Sequence, residues 1–430
     1  MHSVDKIFER AMVKFGSFEP HPHVAVAFSG GGDSTALLHL LVNWINRCDG
    51  KVTALVVDHG LRDGSAKDAG LARDHAIKAG VTCHVLNWRG PKPTSAIQAS
   101  ARKVRYQLLG DWCLRNGVLH LALGHQLDDQ METVCMRASR GSGPDGLAGM
   151  TEQRETEWGR IVRPLLSVNR SKLRHFLKKR NISWINDPSN DDHTFERVRV
   201  RQEIKKRKYF SHDLNARRTS RKSLDYEAAK FLAVGAMISP FGYAMICLDT
   251  FNDLSVDGKR RVISGLCATI GGLEYNPRRK SIDAVVDSIN KREFVSRTLG
   301  GCIFLKVTDD ILIVREAERC PVEGFLGKNI QIWDRRFVFS KTSVSAGISV
   351  GPLILAKSEI FGEIRRSYPN IRNVPEVALR ALPAFFKADK LLAVPHLRYG
   401  RSSRYGRLSR AQVVFRPKRS ASNAPFTVVK

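Results

Sequence analysis

Paired cysteines are missing from this chain. Its 430 residues include eight cysteines, each standing alone, with no Cys-x-x-Cys spacing anywhere. That pattern argues against a zinc ribbon, a redox dithiol or an iron–sulfur centre, and leaves the cysteines as small core hydrophobes. Long apolar runs are missing too. No stretch approaches the roughly eighteen apolar residues needed to cross a bilayer, so no membrane partner is expected. The first ten residues carry Asp5, Lys6, Glu9 and Arg10 in place of the apolar core of a secretory signal, so a cytoplasmic location is expected. Acidic residues are scarce: 42 Asp and Glu face 70 Lys and Arg, a formal charge of +28. An excess of this size favours a polyanionic partner whose phosphates release condensed counterions on binding.

Regular alternation of strands and helices fills the first half. Apolar runs at 24–28, 52–57, 83–86 and 118–123 read as strands, and helical periodicity covers 35–45, 66–79, 95–115 and 128–139. Such alternation predicts an α/β fold with a doubly wound parallel sheet covered on both faces. Past Arg201 the character changes. A small helical domain is expected from 211 to 296 and a smaller, mostly-β domain from 297 to 430, after a catalytic domain over 1–210. Periodicity from 226 to 289 predicts helices, and 297–314 predicts two short strands around Asp309-Asp310.

In a parallel sheet, ligands bind beyond the carboxyl ends of the strands. Three clusters fall there: Ser29-Gly30-Gly31-Gly32-Asp33-Ser34, Asp58 to Arg62, and Gly124 to Glu132. The first packs three glycines between a strand and a helix, so that amide N–H groups and a helix N-terminus face an anion together. No Gly-Lys-Ser/Thr follows, so it is not a Walker loop, and the spacing of a dinucleotide fingerprint is absent. Asp129 and Glu132, three apart, share one helix face. Asp128 reads equally as a helix N-cap or as a functional acid. Asp58 reads as a turn cap or as a nucleotide contact, and His59 reads as structural.

The string SGGGDS resembles the pyrophosphate loop of the N-type ATP pyrophosphatases, which cleave ATP between its α and β phosphates. The loop is followed by Val57-Asp58-His59-Gly60-Leu61-Arg62, by Gly124 to Thr133, by Arg140-Gly141-Ser142-Gly143, by Gly146 to Met150, and by Arg163-Pro164-Leu165-Leu166. In this order the strings are similar to the catalytic domain of the tRNA-isoleucine lysidine synthetases. Asp187-Pro188-Ser189-Asn190, Phe195 and Arg197 to Arg201 extend the likeness. Beyond residue 201 it thins to Thr298-Leu299-Gly300-Gly301 and 313–316.

The resemblance implies an adenine nucleotide alpha hydrolase-like catalytic domain that uses ATP and Mg²⁺. Its partners would be free L-lysine and a tRNA(Ile) with a CAU anticodon; DNA is not expected. ATP would adenylate the C2 carbonyl oxygen of the wobble cytidine, and the lysine ε-amine would displace AMP to give lysidine. Ser29, Gly30, Gly31, Gly32, Asp33, Ser34, Asp58 and His125 are then the nucleotide contacts, with Asp33 also the Mg²⁺ ligand. Arg105 would reach the ATP phosphates, Asp129 and Glu132 would receive the lysine, and Arg197 and Arg201 would contact substrate. Asp33, Asp129, Glu132 and Arg105 are the expected catalytic set. Gln126 departs from the family, many members of which carry a second histidine there. Arg278-Arg279-Lys280 and the arginines of 398–410 are candidate phosphate contacts, or simply a solvated basic surface. Two other readings remain open: another tRNA-modifying pyrophosphatase such as a thiolase, or a non-catalytic tRNA-binding protein.

Overall fold

In the computed structural model, the structure describes residues 3–16, 18–186, 200, 211–291, 293–324, 332–340, 347–367, 371, 373–400, 408 and 412–424. Two compact units divide the chain, one through Arg221 and one over 222–424.

The first unit alternates as the periodicity dictates. Its elements are α1 (Val4–Lys14), β1 (His23–Ala27), α2 (Gly32–Ile45), β2 (Lys51–Asp58), α3 (Ser65–Lys78), β3 (Thr82–Asn87), α4 (Ile97–Arg115) and β4 (His120–Leu123). They continue with α5 (Leu127–Ser139), α6 (Pro144–Leu147), β5 (Gln153–Thr156), β6 (Gly159–Val162) and α7 (Arg170–Lys179). The strand order is β3-β2-β1-β4-β6-β5. All neighbours are parallel except the β5–β6 pair, which forms an antiparallel edge hairpin that the periodicity did not disclose. β1 and β4 are buried almost throughout because helices cover both faces. Residues of α1, α2, α3 and α7 build the core on one face, and Leu109, Trp112 and Cys113 of α4 build it on the other.

From β1 the chain winds outward through β2 and β3, then returns to place β4 on the other side of β1. The β1/β4 border is therefore the topological switch point, where loops leave the sheet in opposite directions and open a crevice.

The second unit holds a five-stranded antiparallel sheet of order β7-β8-β11-β10-β9. Its strands are β7 (Ala236–Ile238), β8 (Ala244–Cys247), β9 (Ser296–Leu299), β10 (Cys302–Val307) and β11 (Asp310–Arg315). Two expectations are corrected here. The stretch 226–289 is not all helix, because Gly242, at φ +77°, closes a turn that folds β7 onto β8. Residues 297–314 give three strands rather than two, because Gly300 and Gly301, at φ +60° and +73°, turn the chain between β9 and β10. β8 pairs with β11, so strands on both sides of residue 296 share this sheet. Helices Val256–Ile270 and Arg279–Ile289 supply apolar faces to its core. Further antiparallel strands between 323 and 415 surround a separate core that includes Trp333, Phe337 and Phe385. Among the described residues no helix is long and apolar enough to cross a membrane.

At the amino ends of β4 and β6 lies a buried polar network. Arg160 Nε donates to His120 Nδ1 at 2.8 Å, and Arg160 also donates to the Phe15 carbonyl at 2.7 Å. Arginine has no acceptor, so His120 must carry its proton on Nε2, which donates to Glu19 Oε2 at 2.5 Å. Burial holds the His120 pKa below its usual value, with the Glu19 bond opposing and Arg160 assisting. The unfolded chain takes up this proton near pH 6.5 while the native chain resists it, so stability falls as pH drops below about 6.5. Urea unfolding should show a lower midpoint at pH 5.5 than at pH 7.5, and His120→Gln should flatten that difference. Glu19→Ala leaves a buried donor unmatched and should cost about 2 kcal/mol at neutral pH.

Candidate active site

The glycine loop begins where β1 ends. Gly30 adopts φ +76°, a left-handed conformation that glycine reaches without strain, and an added Cβ there would fall on the Ile185 side chain. Ser34 Oγ donates to the Gly31 carbonyl at 2.9 Å and lies 3.2 Å from Ser29 Oγ, while Thr35 Oγ1 donates to the Gly30 carbonyl at 3.1 Å. The loop is thus tied to itself by hydroxyls, one of which also accepts from the Ser29 amide at 3.3 Å. The first intrahelical bond of α2 runs from Thr35 N to the Gly31 carbonyl. The amides of Gly32, Asp33 and Ser34 therefore have no partner within the helix, and the N-cap is Gly31, whose lack of a side chain leaves them uncapped. Uncapped amides at the positive end of a fourteen-residue helix form an anion site, and this donor set fits the phosphates of ATP.

Across the switch point the loop after β4 comes close. A Cβ on Gly124 would stand 3.2 Å from the Asp33 carbonyl group, so glycine lets the two loops meet. Gln126, not Asp128, caps α5. Its Oε1 accepts from Asp128 N at 2.6 Å, and its own N donates to Asp129 Oδ2 at 3.0 Å, a reciprocal capping box. The N-cap reading of Asp128 is corrected accordingly: its Oδ2 accepts from Arg170 N at 2.9 Å, at the first turn of α7.

Arg170 is the residue that sequence reasoning missed. Its Nε lies 3.3 Å from Asp33 Oδ2 and its Nη2 lies 3.4 Å from Asp129 Oδ1, with all three side chains about a quarter exposed or less. Burial opposes its charge, yet its pKa is raised because Asp33, Asp129, Glu132 and Asp128 surround it. Burial raises the Asp33 carboxyl, Arg170 pulls it back down, and Asp129 raises it further. Glu132 is buried on the same helix. One signal was available: Arg170 opens a helix, where acids and not bases suit the dipole.

Other expected residues lie beside the crevice. Asp58 ends β2 and its Oδ1 accepts from Gly60 N at 2.9 Å, so it closes its own turn. His59 Nδ1 is buried without a hydrogen-bond partner among the described residues, and burial followed by Arg105 lowers its pKa. Arg105 is half-buried on α4 with no ion-pair partner among the described residues, and burial lowers its pKa. His125 is half-buried at the exit of β4. Trp184 and Ile185, also missed, pack on the loop: Ile185 N donates to the Gly30 carbonyl at 2.9 Å, and the Trp184 ring faces Gly32. Arg197, Arg201 and the Asp187–Asn190 string lie outside the described residues, as do most arginines of 398–410. Among the described residues no three His, Cys, Asp or Glu side chains gather to hold a metal. Asp33 offers a partly exposed carboxylate beside the loop, an oxygen donor whose chemistry fits Mg²⁺.

The PP-loop domain family matches residues 4–208. Over its length the chain is similar to proteins named tRNA(Ile)-lysidine synthase. That of Ruegeria pomeroyi is 34% identical over 388 residues, covering 88% of this chain and 90% of the relative. That of Wolbachia pipientis wMel is 34% identical over 390 residues, covering 87% and 89%. That of Orientia tsutsugamushi is 29% identical over 420 residues, covering 92% and 94%.

The loop makes a sharp test. Gly30→Ala forces a left-handed conformation on an L-residue and a contact with Ile185, a strain of about 1–2 kcal/mol. Binding of a non-hydrolysable ATP analogue, measured by calorimetry, should weaken about tenfold. Unchanged affinity would show that the loop conformation is not part of the nucleotide site.

Proposed function

The chain belongs to the tRNA(Ile)-lysidine synthase family, and on that premise we propose that it joins free L-lysine to the wobble cytidine of a CAU-anticodon tRNA(Ile). It is an enzyme of the ligase class with an ATP-using PP-loop domain. The observation that carries the finer reading is the meeting, at the β1/β4 switch point, of an uncapped helix N-terminus with a carboxylate cluster. One half suits a leaving pyrophosphate and the other suits an incoming amine.

In the first step the cytidine C2 carbonyl oxygen attacks the ATP α-phosphorus and pyrophosphate leaves. The amides of Gly32, Asp33 and Ser34 receive the negative charge that develops on it. Asp33 would hold Mg²⁺, which would supply further neutralisation of the phosphates. Arg105 is assigned to the same phosphates by resemblance, and its lack of a carboxylate partner among the described residues supports that reading.

In the second step the lysine ε-amine attacks C2 and AMP departs with the oxygen. An amine with a reference pKa of about 10.4 arrives protonated at neutral pH and must lose that proton before it attacks. Asp129 and Glu132 attract the ammonium and take the proton. Asp129 is already oriented by Gln126 N and Arg170, so its carboxylate is held rather than free to rotate. Arg197 and Arg201 are assigned to substrate contact by resemblance alone. We assign the reaction to the cytoplasm because its proposed substrate is a tRNA.

Two of the thiols are poor candidates for sulfur transfer. Burial pushes Cys83 up to about 11 and Cys113 up to about 12, away from the thiolate form that such chemistry needs.

AMP release from radiolabelled ATP tests the reading directly. It should require the CAU-anticodon tRNA, and labelled lysine should enter the wobble position. Asp129→Asn should raise the KM for lysine at least about tenfold, the loss of one charge-assisted contact, while binding of the ATP analogue persists. AMP release that needs a sulfur donor in place of lysine would overturn the substrate assignment and leave the ATP chemistry standing.

A further inference from the structure

Four arginines surround Tyr106 on α4. The Arg102 guanidinium lies 5.1 Å from the ring centroid and donates to the hydroxyl at 3.4 Å, and Arg154 of β5 lies 5.4 Å from the same ring. Arg163, one residue past β6, stands beside the same tyrosine and donates to the Thr151 carbonyl at 2.7 Å. Arg105 completes the group, and Arg137 of α5 stands next to Arg102. None of the five makes an ion pair with a carboxylate among the described residues, although carboxylates pair with many other arginines of this chain. Arg163 is only 5% exposed, and its Nε is buried with no partner.

Like charges gathered this tightly repel one another, and a buried guanidinium with an unused N–H loses hydration without return. Burial pushes Arg163 down to about 10, which still leaves it charged at neutral pH. With Arg105 assigned to the ATP phosphates, Arg102, Arg154 and Arg163 still lack an anion. Guanidinium forks match phosphate oxygens in pairs, so phosphate is the chemistry that fits.

Position narrows the source. Arg163 leaves the carboxyl end of β6, and Arg154 pairs across from Ile161 near that same end. Arg105 neighbours His59 at the end of β2. The cluster thus borders the ligand edge of the sheet. The loop amides are assigned above to a nucleoside triphosphate, whereas Arg102 and Arg154 are exposed, as a site for a large ligand requires. A net charge of +28 favours the same partner.

We propose that Arg102, Arg154 and Arg163 around Tyr106 form a second anion site, separate from the pyrophosphate loop, which takes consecutive phosphodiesters of the RNA strand next to the base being modified. The assignment rests on the RNA substrate proposed above. It makes these arginines positioning residues: they fix the strand so that the target base reaches the crevice.

The test uses the full chain carrying Arg102→Gln and Arg154→Gln, both exposed and removable without opening the core, with a melting curve to verify folding. Binding of the CAU-anticodon tRNA is measured by filter retention across a salt series, and binding of a non-hydrolysable ATP analogue is measured separately. The slope of log K against log salt should fall by about two in the double variant, one per lost phosphate contact, with ATP-analogue affinity unchanged. Backbone contacts carry no sequence information, so a tRNA with another anticodon should lose the same slope. An unchanged slope overturns the site. Loss of ATP-analogue affinity with an unchanged slope also overturns it and gives the cluster to the nucleotide. If the slope falls as expected while the wild-type chain incorporates no lysine, the anion site stands and the reaction reading falls.

Discussion

Two loops must leave adjacent parallel strands in opposite directions and still touch. The rest of the site depends on that one approach. β1 and β4 lie side by side, and the backbone after β4 reaches the backbone of Asp33 so closely that Gly124 admits no larger neighbour without displacement. Through this contact the anion-binding end of α2 and the acidic start of α5 become two walls of one crevice. The hydroxyl bonds within the glycine loop and the reciprocal cap on α5 then fix each wall independently.

Charge is handled differently at the two ends of the sheet. At the amino end of β4 and β6 the buried charges are satisfied internally: Glu19, His120 and Arg160 form a closed chain of hydrogen bonds that joins the segment before β1 to the sheet. At the carboxyl end they are left open. The Gly32–Ser34 amides have no cap, Arg105 has no carboxylate among the described residues, and Arg163 has a buried Nε without a partner. Unmatched positive charge of this kind destabilises the free chain and is recovered only when an anion arrives. The contrast separates a structural end of the domain from a binding end without reference to any relative.

Much of this was legible in the sequence because it depends on local chemistry. Continuous apolar runs gave the buried parallel strands, and three glycines before a helix gave the anion loop, since both signals lie within a few consecutive residues. Features that depend on partners distant in sequence were not legible. Gln126 and Asp128 are both able to cap α5, and the choice fell to Gln126 because Asp128 is drawn to the start of α7, 42 residues away. Trp184 and Ile185 look like ordinary apolar residues until the fold lays them on the glycine loop. The β5–β6 and β7–β8 hairpins were lost for another reason: strands of three or four residues are too short to show a period of two.

Arg170 shows what such distant contacts add. A cation at the first position of a helix opposes the helix dipole, so α7 by itself would be better with an acid there. The arginine is tolerated because four carboxylates of α2 and α5 surround it, and they are tolerated because it is there. Without it Asp33 and Asp129 would repel across the switch point, and the two walls of the crevice would be pushed apart by the groups meant to work together. Its contacts at 3.3 and 3.4 Å are long for charge-assisted bonds, as befits a cation that balances several acids without binding any one of them tightly. A balance of that kind leaves Asp33 and Asp129 aligned and still able to accept another cation. Arg170 thereby joins the glycine-loop wall of the crevice to its acidic wall.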